Sequence, residues 1–199
     1  PGTMTPGTMT PGTMTPGTLK PGTMTPGTMT PGTMVLDTDP QGYAVRSAGA
    51  RDLTAVADCR RRWVAERTAE IDMADDPGFD ARMAQWWARE ADRRVTWLAW
   101  AGERPIGMAS AVLFERMPAP GAATARWGYV SQVWVDAAYR RRGVATTLMG
   151  ALIDWARRED LVRLILNPSD ESRPMYAALG FREATDLLRL DLACGVRKT

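Results

Sequence analysis

Histidine is absent from the 199 residues, and cysteine occurs only twice. The first absence excludes Ser-His-Asp and Cys-His catalysis, a histidine general base and histidine metal ligands together. Cys59 and Cys194 stand too far apart for a CxxC redox or zinc motif, so no metal is expected. They read as reduced thiols of a cytoplasmic protein, with one long-range disulfide as the alternative. Long apolar runs are also missing. The longest, Val95 to Gly102, falls far short of the ~20 residues that cross a bilayer. Net charge is small as well: 25 basic against 23 acidic residues leave +2, which does not point to nucleic acid or an anionic membrane as partner.

Two unlike segments make up the chain. Residues 1–35 repeat the pentapeptide Pro-Gly-Thr-Met-Thr, departing only at Leu19-Lys20 and Val35. Each Pro-Gly pair suits a type II turn, since proline fixes φ and glycine supplies the positive φ that follows. One methionine per repeat cannot build a core against the entropy of ordering the backbone, and a pentapeptide is far shorter than a stacking solenoid repeat. The composition predicts a disordered low-complexity tail. It has no apolar stretch followed by a small-residue cleavage site and so does not read as a signal peptide. An adhesive or metal-binding tail is the functional alternative.

Residues 36–199 have the length of one ordinary domain and hold all eight tryptophans. Tyr43 to Ser47 reads as a short strand. Asp52 can cap a helix to about Glu66, with Leu53, Val56, Ala57, Trp63 and Val64 inward. A second helix is predicted over Asp80 to Ala91, with Met83, Trp86 and Trp87 clustered. The apolar runs Val95–Ala101 and Pro105–Phe114, separated by Gly102-Glu103-Arg104, read as a β-hairpin. Residues 116–127 form a loop, and Tyr129 to Val135 is the next strand. A long helix runs from about Gly143 to Glu159, with Ala145, Leu148, Met149, Leu152 and Ala156 as its buried stripe. Leu161 to Leu166 reads as a strand buried on both faces. A short helix from Arg173 to Leu179 stops at Gly180, and Glu183 to Leu192 is expected to supply closing strands. The order describes a mixed α/β domain.

One segment carries chemistry. A strand ends near Val135, a basic turn follows, and a helix opens at Gly143. A helix start leaves about four backbone N–H groups unpaired and carries the positive end of the dipole. Gly143 allows close approach to the backbone, small Ala145 keeps the first turn clear, and Arg140, Arg141 and Arg142 add charge. Together they suit a pyrophosphate. Neither the GxxxxGK[ST] nor the GxGxxG spacing is present. The bland alternative is a self-capping basic helix start that only keeps the surface soluble.

Arg140-x-x-Gly143-x-Ala145, after a Val-Trp-Val strand, resembles the [Gln/Arg]-x-x-Gly-x-[Gly/Ala] signature of the GNAT family of N-acetyltransferases. Asn167-Pro-Ser-Asp-Glu-Ser-Arg-Pro-Met-Tyr-Ala-Ala-Leu-Gly-Phe181 resembles that family's second block, which ends Leu-Tyr-x-x-x-Gly-Phe. The resemblance covers about residues 42–195. It implies the acyl-CoA N-acyltransferase fold, a mostly antiparallel central sheet flanked by helices. It also implies acetyl-coenzyme A in a splay between the strands ending at Val135 and Leu166. The backbone of Val133, Trp134 and Val135 would pair with the pantetheine arm like an added strand. Amides from Arg141 through Arg142, Gly143, Val144 and Ala145 to Thr146 would hold the pyrophosphate. Tyr176 matches the family tyrosine that protonates the departing thiolate, a role open to a phenol of pKa ~10; its alternative is an amphipathic core tyrosine. The family's asparagine before the last helix has no exact match, which leaves Asn167 and Ser169 both as cofactor contacts. Pro174 departs too, tolerable only in a first helical turn.

The resemblance implies transfer of an acetyl group to a primary amine, of a small molecule or a protein, by direct attack in a ternary complex. A non-catalytic acyl-CoA-binding or sensing module and a purely structural domain are the alternatives. A backbone N–H near Val133 could polarise the thioester. Base candidates are Glu115 and the cluster Asp72, Asp75 and Asp76, with a solvated acidic loop as the plainer reading of the cluster and a water chain as the substitute. Trp86, Trp87 and Trp127 could line an acceptor pocket suited to an apolar or cationic amine; core or homodimer contacts are the alternative use of such residues.

Overall fold

A computed structural model describes residues 42–67 and 76–190. The repeat segment 1–35, Asp72, Asp75 and Cys194 lie outside the described residues.

Strand β1 (Ala44–Ser47) leads through a 3-10 turn (Ala50–Asp52) into helix α1 (Leu53–Arg67). The expected cap takes a tighter form. Asp52 accepts the Gly49 N–H at 2.9 Å and two bonds from Arg46 at 2.7 and 2.8 Å, so it closes the 3-10 turn before the helix opens. Helix α2 spans Phe79–Glu90, and the hairpin strands are β2 (Arg94–Ala101) and β3 (Arg104–Glu115). Their register pairs Ala101 with Arg104, leaving Gly102-Glu103 as a two-residue turn, with Gly102 at φ 59°. Strand β4 (Arg126–Val135), helix α3 (Val144–Arg158), the short strand β5 (Leu164–Leu166) and helix α4 (Arg173–Ala178) complete the order.

The five strands lie in sequence order, antiparallel from β1 to β4, with β5 parallel to β4. Helices cover both faces. On one face, α3 lays Val144, Leu148, Met149, Leu152, Trp155 and Ala156 against Val45, Trp97, Ala109, Ala111, Val130 and Val135. These α3 positions recur every three to four residues, as one buried face of an α-helix requires. Tyr176 of α4 closes the same core. On the other face, Val56, Ala57 and Cys59 of α1 and Met83 of α2 pack on Leu98, Met108 and Trp134. Cys59 is fully buried there as a free thiol, and burial pushes its pKa up to about 12. Among the described residues, no helix is long and apolar enough to cross a membrane.

Three sequence expectations need correction. Residues 126 and 127 do not belong to the loop. Trp127 stacks on Phe114 at 4.4 Å between ring centres, and Arg126 opposes Glu115, so these cross-strand pairs extend β4 downward. β5 holds only Leu164–Leu166 and is half-buried rather than enclosed, because it is the sheet's edge. The closing strands do not form over 183–190. That stretch has no clean alternation, its Leu187, Leu188 and Leu190 are exposed, and Glu183 and Asp186 turn to Arg173 and Arg163.

Candidate functional site

The site begins with a change of partner along β4. Its pairing with β5 covers Gly128, Tyr129 and Val130 and ends there, opposite Leu166. Past that point the chain of β5 leaves through Asn167 toward a 3-10 turn at Asp170–Ser172. Among the described residues, Gln132 to Val135 therefore keep β3 as their one strand neighbour. A strand edge so exposed offers a row of N–H and C=O groups to anything extended that carries amides.

The same stretch holds a β-bulge. Ser110 pairs with Gln132 and Ala111 with Val130, so Ser131 is the extra residue. A bulge breaks the strict in-out alternation of a strand. Here it lets Ser131 and Gln132 both face the α1/α2 side, while Val133 and Val135 return to the α3 core and Trp134 to the opposite one.

Beyond Val135 the chain is anchored by Asp136. Its carboxylate accepts the Ala138 N–H at 3.0 Å and guanidinium N–H groups of Arg62 and Arg104, each at 2.7 Å. Burial works to raise its pKa, but the Ala138 amide and the two arginines outweigh it and hold the carboxyl below its usual range. Two positive φ angles follow, 62° at Arg141 and 81° at Gly143, the residue capping α3. Such a backbone curls successive N–H groups toward one concavity at the positive end of a helix. Arg141 to Gly143 and Thr146 are exposed, Ala145 is half-buried, and Val144 drops into the core as the pin that fixes the turn. Arg140 is already occupied: its Nε donates to the Val135 carbonyl at 3.0 Å and its Nη2 to Glu66. Arg142 lies over the Tyr139 ring at 5.4 Å. Backbone amides and a cationic rim are what this turn offers an anion.

Tyr176 is 8% exposed, meets Phe181 edge-on at 5.6 Å, and sits in the core that also contains Val135 and Val144. Burial raises its pKa above the ordinary tyrosine value, so the phenol keeps its proton at neutral pH. Pro174 falls in the first turn of α4, where its missing N–H is harmless. Asn167 donates from Nδ2 to the Tyr129 hydroxyl at 3.1 Å, and Ser169 bonds with Ser172 at 3.0 Å at the start of the 3-10 turn. Both polar side chains stand where β5 parts from β4.

On the opposite face of the sheet a cleft of about 470 Å³ opens between α1, α2 and the strands. Phe79, Trp86 and Trp87 supply its aromatic wall, and Ser131 and Gln132 bring it to the bulge in β4. Trp127 does not reach it; the residue is committed to its stack on Phe114 at the other end of β4. The base candidates fare no better. Asp76 is paired with Arg82, and Glu115 stands opposite Arg126, five residues beyond Ser110 and ~17 Å along the strand. Sequence reasoning missed Arg60, Arg94, Ser110, Ser131 and Gln132, all of which line the cleft. The available signal was Ser131-Gln132, two adjacent polar residues inside an otherwise apolar strand. Among the described residues, no group of three His, Cys, Asp or Glu is placed to hold a metal.

Residues 56–181 match the model of the acetyltransferase (GNAT) family, covering both the β4–α3 turn and α4. A glucosamine 6-phosphate N-acetyltransferase of Trypanosoma brucei brucei is 34% identical over 89 residues, which are 45% of this chain and 58% of that protein. Glucosamine 6-phosphate N-acetyltransferase 1 of Oryza sativa subsp. japonica is 33% identical over 108 residues, 54% of this chain and 64% of that one. The match thus spans less than two thirds of either relative. A Clostridium acetobutylicum acetyltransferase solved with acetyl-CoA superposes with a TM-score of 0.60 at 22% identity, over 75% of this chain and 96% of that one.

Proposed function

The chain belongs to the acetyltransferase (GNAT) family, and from that membership and the open edge of β4 we propose that it transfers the acetyl group of acetyl-coenzyme A to a small primary amine. The observation that carries this reading is the loss of β5 as partner after Val130, on the strand that leads into the turn before α3, where Arg141 and Gly143 take positive φ. An extended arm of amides fits the first feature and a pyrophosphate the second.

Acetyl-coenzyme A supplies the acetyl group as a thioester. The backbone of Val133, Trp134 and Val135 pairs with its pantetheine arm. Amides of Arg141 to Thr146 hold the pyrophosphate within the field of α3, with Arg140 and Arg142 at the rim. Asn167 and Ser169, where β5 diverges, contact the arm from the other side. An N–H near Val133 donates to the thioester carbonyl as charge grows on its oxygen. The amine enters from the cleft at Ser131 and Gln132, on the sheet face opposite α3. Its nitrogen forms the C–N bond directly as the C–S bond breaks, the Tyr176 hydroxyl donates its proton to the departing sulfur, and water takes the proton the amine sheds. Holding both reactants on one strand can supply ~7–11 kcal/mol of the barrier.

Isothermal titration with acetyl-coenzyme A, followed by thiol release over a panel of amines, tests the proposal. Glucosamine 6-phosphate heads the panel, because both curated relatives are named for it. Binding with turnover of at least one amine is the expected result. Binding without turnover of any would make the domain an acyl-coenzyme A sensor, and absence of binding would leave a structural domain.

A further inference from the structure

The cleft on the α1/α2 face is rich in donors and poor in acceptors. Arg60, Arg82 and Arg94 line it, and no carboxylate does so among the described residues. Two of these cations are already balanced from outside the lining: Arg82 by Asp76, and Arg94 by Glu90 at 3.3 Å. Arg60 is not. Its guanidinium lies over the Trp63 ring at 4.3 Å and pairs with no carboxylate among the described residues. Burial alone depresses its pKa, the mark of a cation partly stripped of water without a counter-charge. Two further donors, Arg94 Nε and Gln132 Nε2, are buried without a hydrogen-bond partner. Unmade hydrogen bonds of buried donors are costly, so a ligand that brings acceptors gains what the free protein lacks.

We propose that the acetyl acceptor is a small amine carrying one anionic group, that Arg60 recognises this group, and that polycationic amines are rejected. The inference rests on the transferase reading above and assigns its acceptor class. The amino end belongs at Ser131 and Gln132, beside the open edge of β4, and the anionic end at Arg60 on α1. Trp86, already covered on one face by Arg94 at 4.7 Å, and Trp87 also line the cleft, which suits a body that can stack, either an aromatic ring or the C–H face of a sugar. Among the described residues one guanidinium of the lining lacks a carboxylate partner, and it calls for one anion. A second positive charge on the ligand would instead meet the unpaired guanidinium of Arg60, and no carboxylate lines the cleft among the described residues. Phosphate and carboxylate satisfy the same fork of N–H donors, so both are candidates for the anionic end.

Matched substrates separate the possibilities. With acetyl-coenzyme A saturating, kcat/KM is measured for glucosamine against glucosamine 6-phosphate, for phenethylamine against 4-(2-aminoethyl)benzoate, and for spermidine. The anionic member is expected to lead by at least tenfold in one pair or both, which also tells phosphate from carboxylate. Arg60→Gln should erase that lead through KM with kcat nearly kept, and Arg60→Lys should restore part of it. A structural role for Arg60 would lower the rate with both members alike. Equal or higher kcat/KM for the uncharged-end members of both pairs overturns the proposal, as does preference for spermidine or a lead that survives in Arg60→Gln. Should no amine turn over, melting temperature with glucosamine 6-phosphate and with 4-(2-aminoethyl)benzoate decides: a rise in the parent that Arg60→Gln lacks upholds the anion site while the transferase reading fails. No rise with either ligand overturns the anion site too.

Discussion

The two faces of the sheet are built from different materials. Toward α3 the buried hydrophobic cluster runs from Val45 and Ile106 to Leu152 and Trp155. Toward α1 and α2, guanidinium groups lie on rings: Arg46 on Trp100, Arg62 on Trp134, Arg94 on Trp86. Six of the seven such contacts among the described residues fall on that side, which makes it the face that can adapt to a charged ligand. The first face fixes the backbone that would receive the donor. The second remains partly open because arginine can solvate an anion and cover an indole at once. Rigidity and selectivity are thus separated by one layer of strands.

Changes that should break one face and spare the other test this division. The largest effect is expected from Leu152→Ala in α3, where a fully buried side chain leaves a void against the sheet. It should cost about 3 kcal/mol in a urea titration. Trimming half-buried Trp87 should cost far less stability and appear in the acceptor KM instead. Next comes Gly143→Val. Its φ of 81° suits glycine, and a branched residue adds ~1–3 kcal/mol of strain while crowding the amides of α3. Acetyl-coenzyme A should bind at least about a hundredfold more weakly by calorimetry, with the far-UV spectrum unchanged. Affinity equal to the parent's would remove the helix start from the donor site. Tyr176→Phe keeps the ring against Phe181 and deletes only the proton donor. Pre-steady-state turnover should drop by ~10²-fold, the low end for such a group because water can substitute. Donor affinity should hold, since the hydroxyl matters most as charge develops on sulfur.

Much of the first face was legible in the sequence because its signals are local. The stripe through Leu148, Met149 and Leu152, the glycine before Val144 and the glycine after α4 each declare themselves within one turn of chain. The second face was not, because its cleft draws on α1, α2 and three strands, and nothing in the order of residues announces that Arg60 and Gln132 are neighbours. Trp127 shows the same limit. Its composition suits a pocket wall, but its register opposite Phe114 decides otherwise, and register is set by the whole hairpin.

Acid should weaken the junction between the faces before either core. Asp136 and Asp52 both have pKa values depressed in the fold, Asp52 first through its bonds from Arg46. Their stabilisation is complete above the unfolded aspartate pKa of ~3.9 and is lost as pH falls through the lower folded values. Melting temperature should accordingly fall below about pH 4, and Asp136→Asn should flatten that decline while lowering stability at neutral pH. The smallest effect is expected from deleting residues 1–35. Melting temperature and donor affinity should stay within error, and a fall in either would show that the repeats pack on the domain.

The single extra residue in β4 has a consequence for how this chain can change over generations. The exposed Ser131 hydroxyl accepts from Arg94 at 2.8 Å and donates to the Ser110 carbonyl at 3.3 Å, and a substitution there should change these bonds without changing the register. Removing the residue would leave the facing of the strand intact: Ala111–Val130 and Ser110–Gln132 would become consecutive pairs, with Val133 and Val135 still on the α3 side and Gln132 and Trp134 on the other. What a one-codon deletion at Ser131 takes away is the bulge itself, and with it the kink at the place where β4 loses β5 as neighbour. Length at this position is therefore a setting of the strand's bend, not of which residues meet the core.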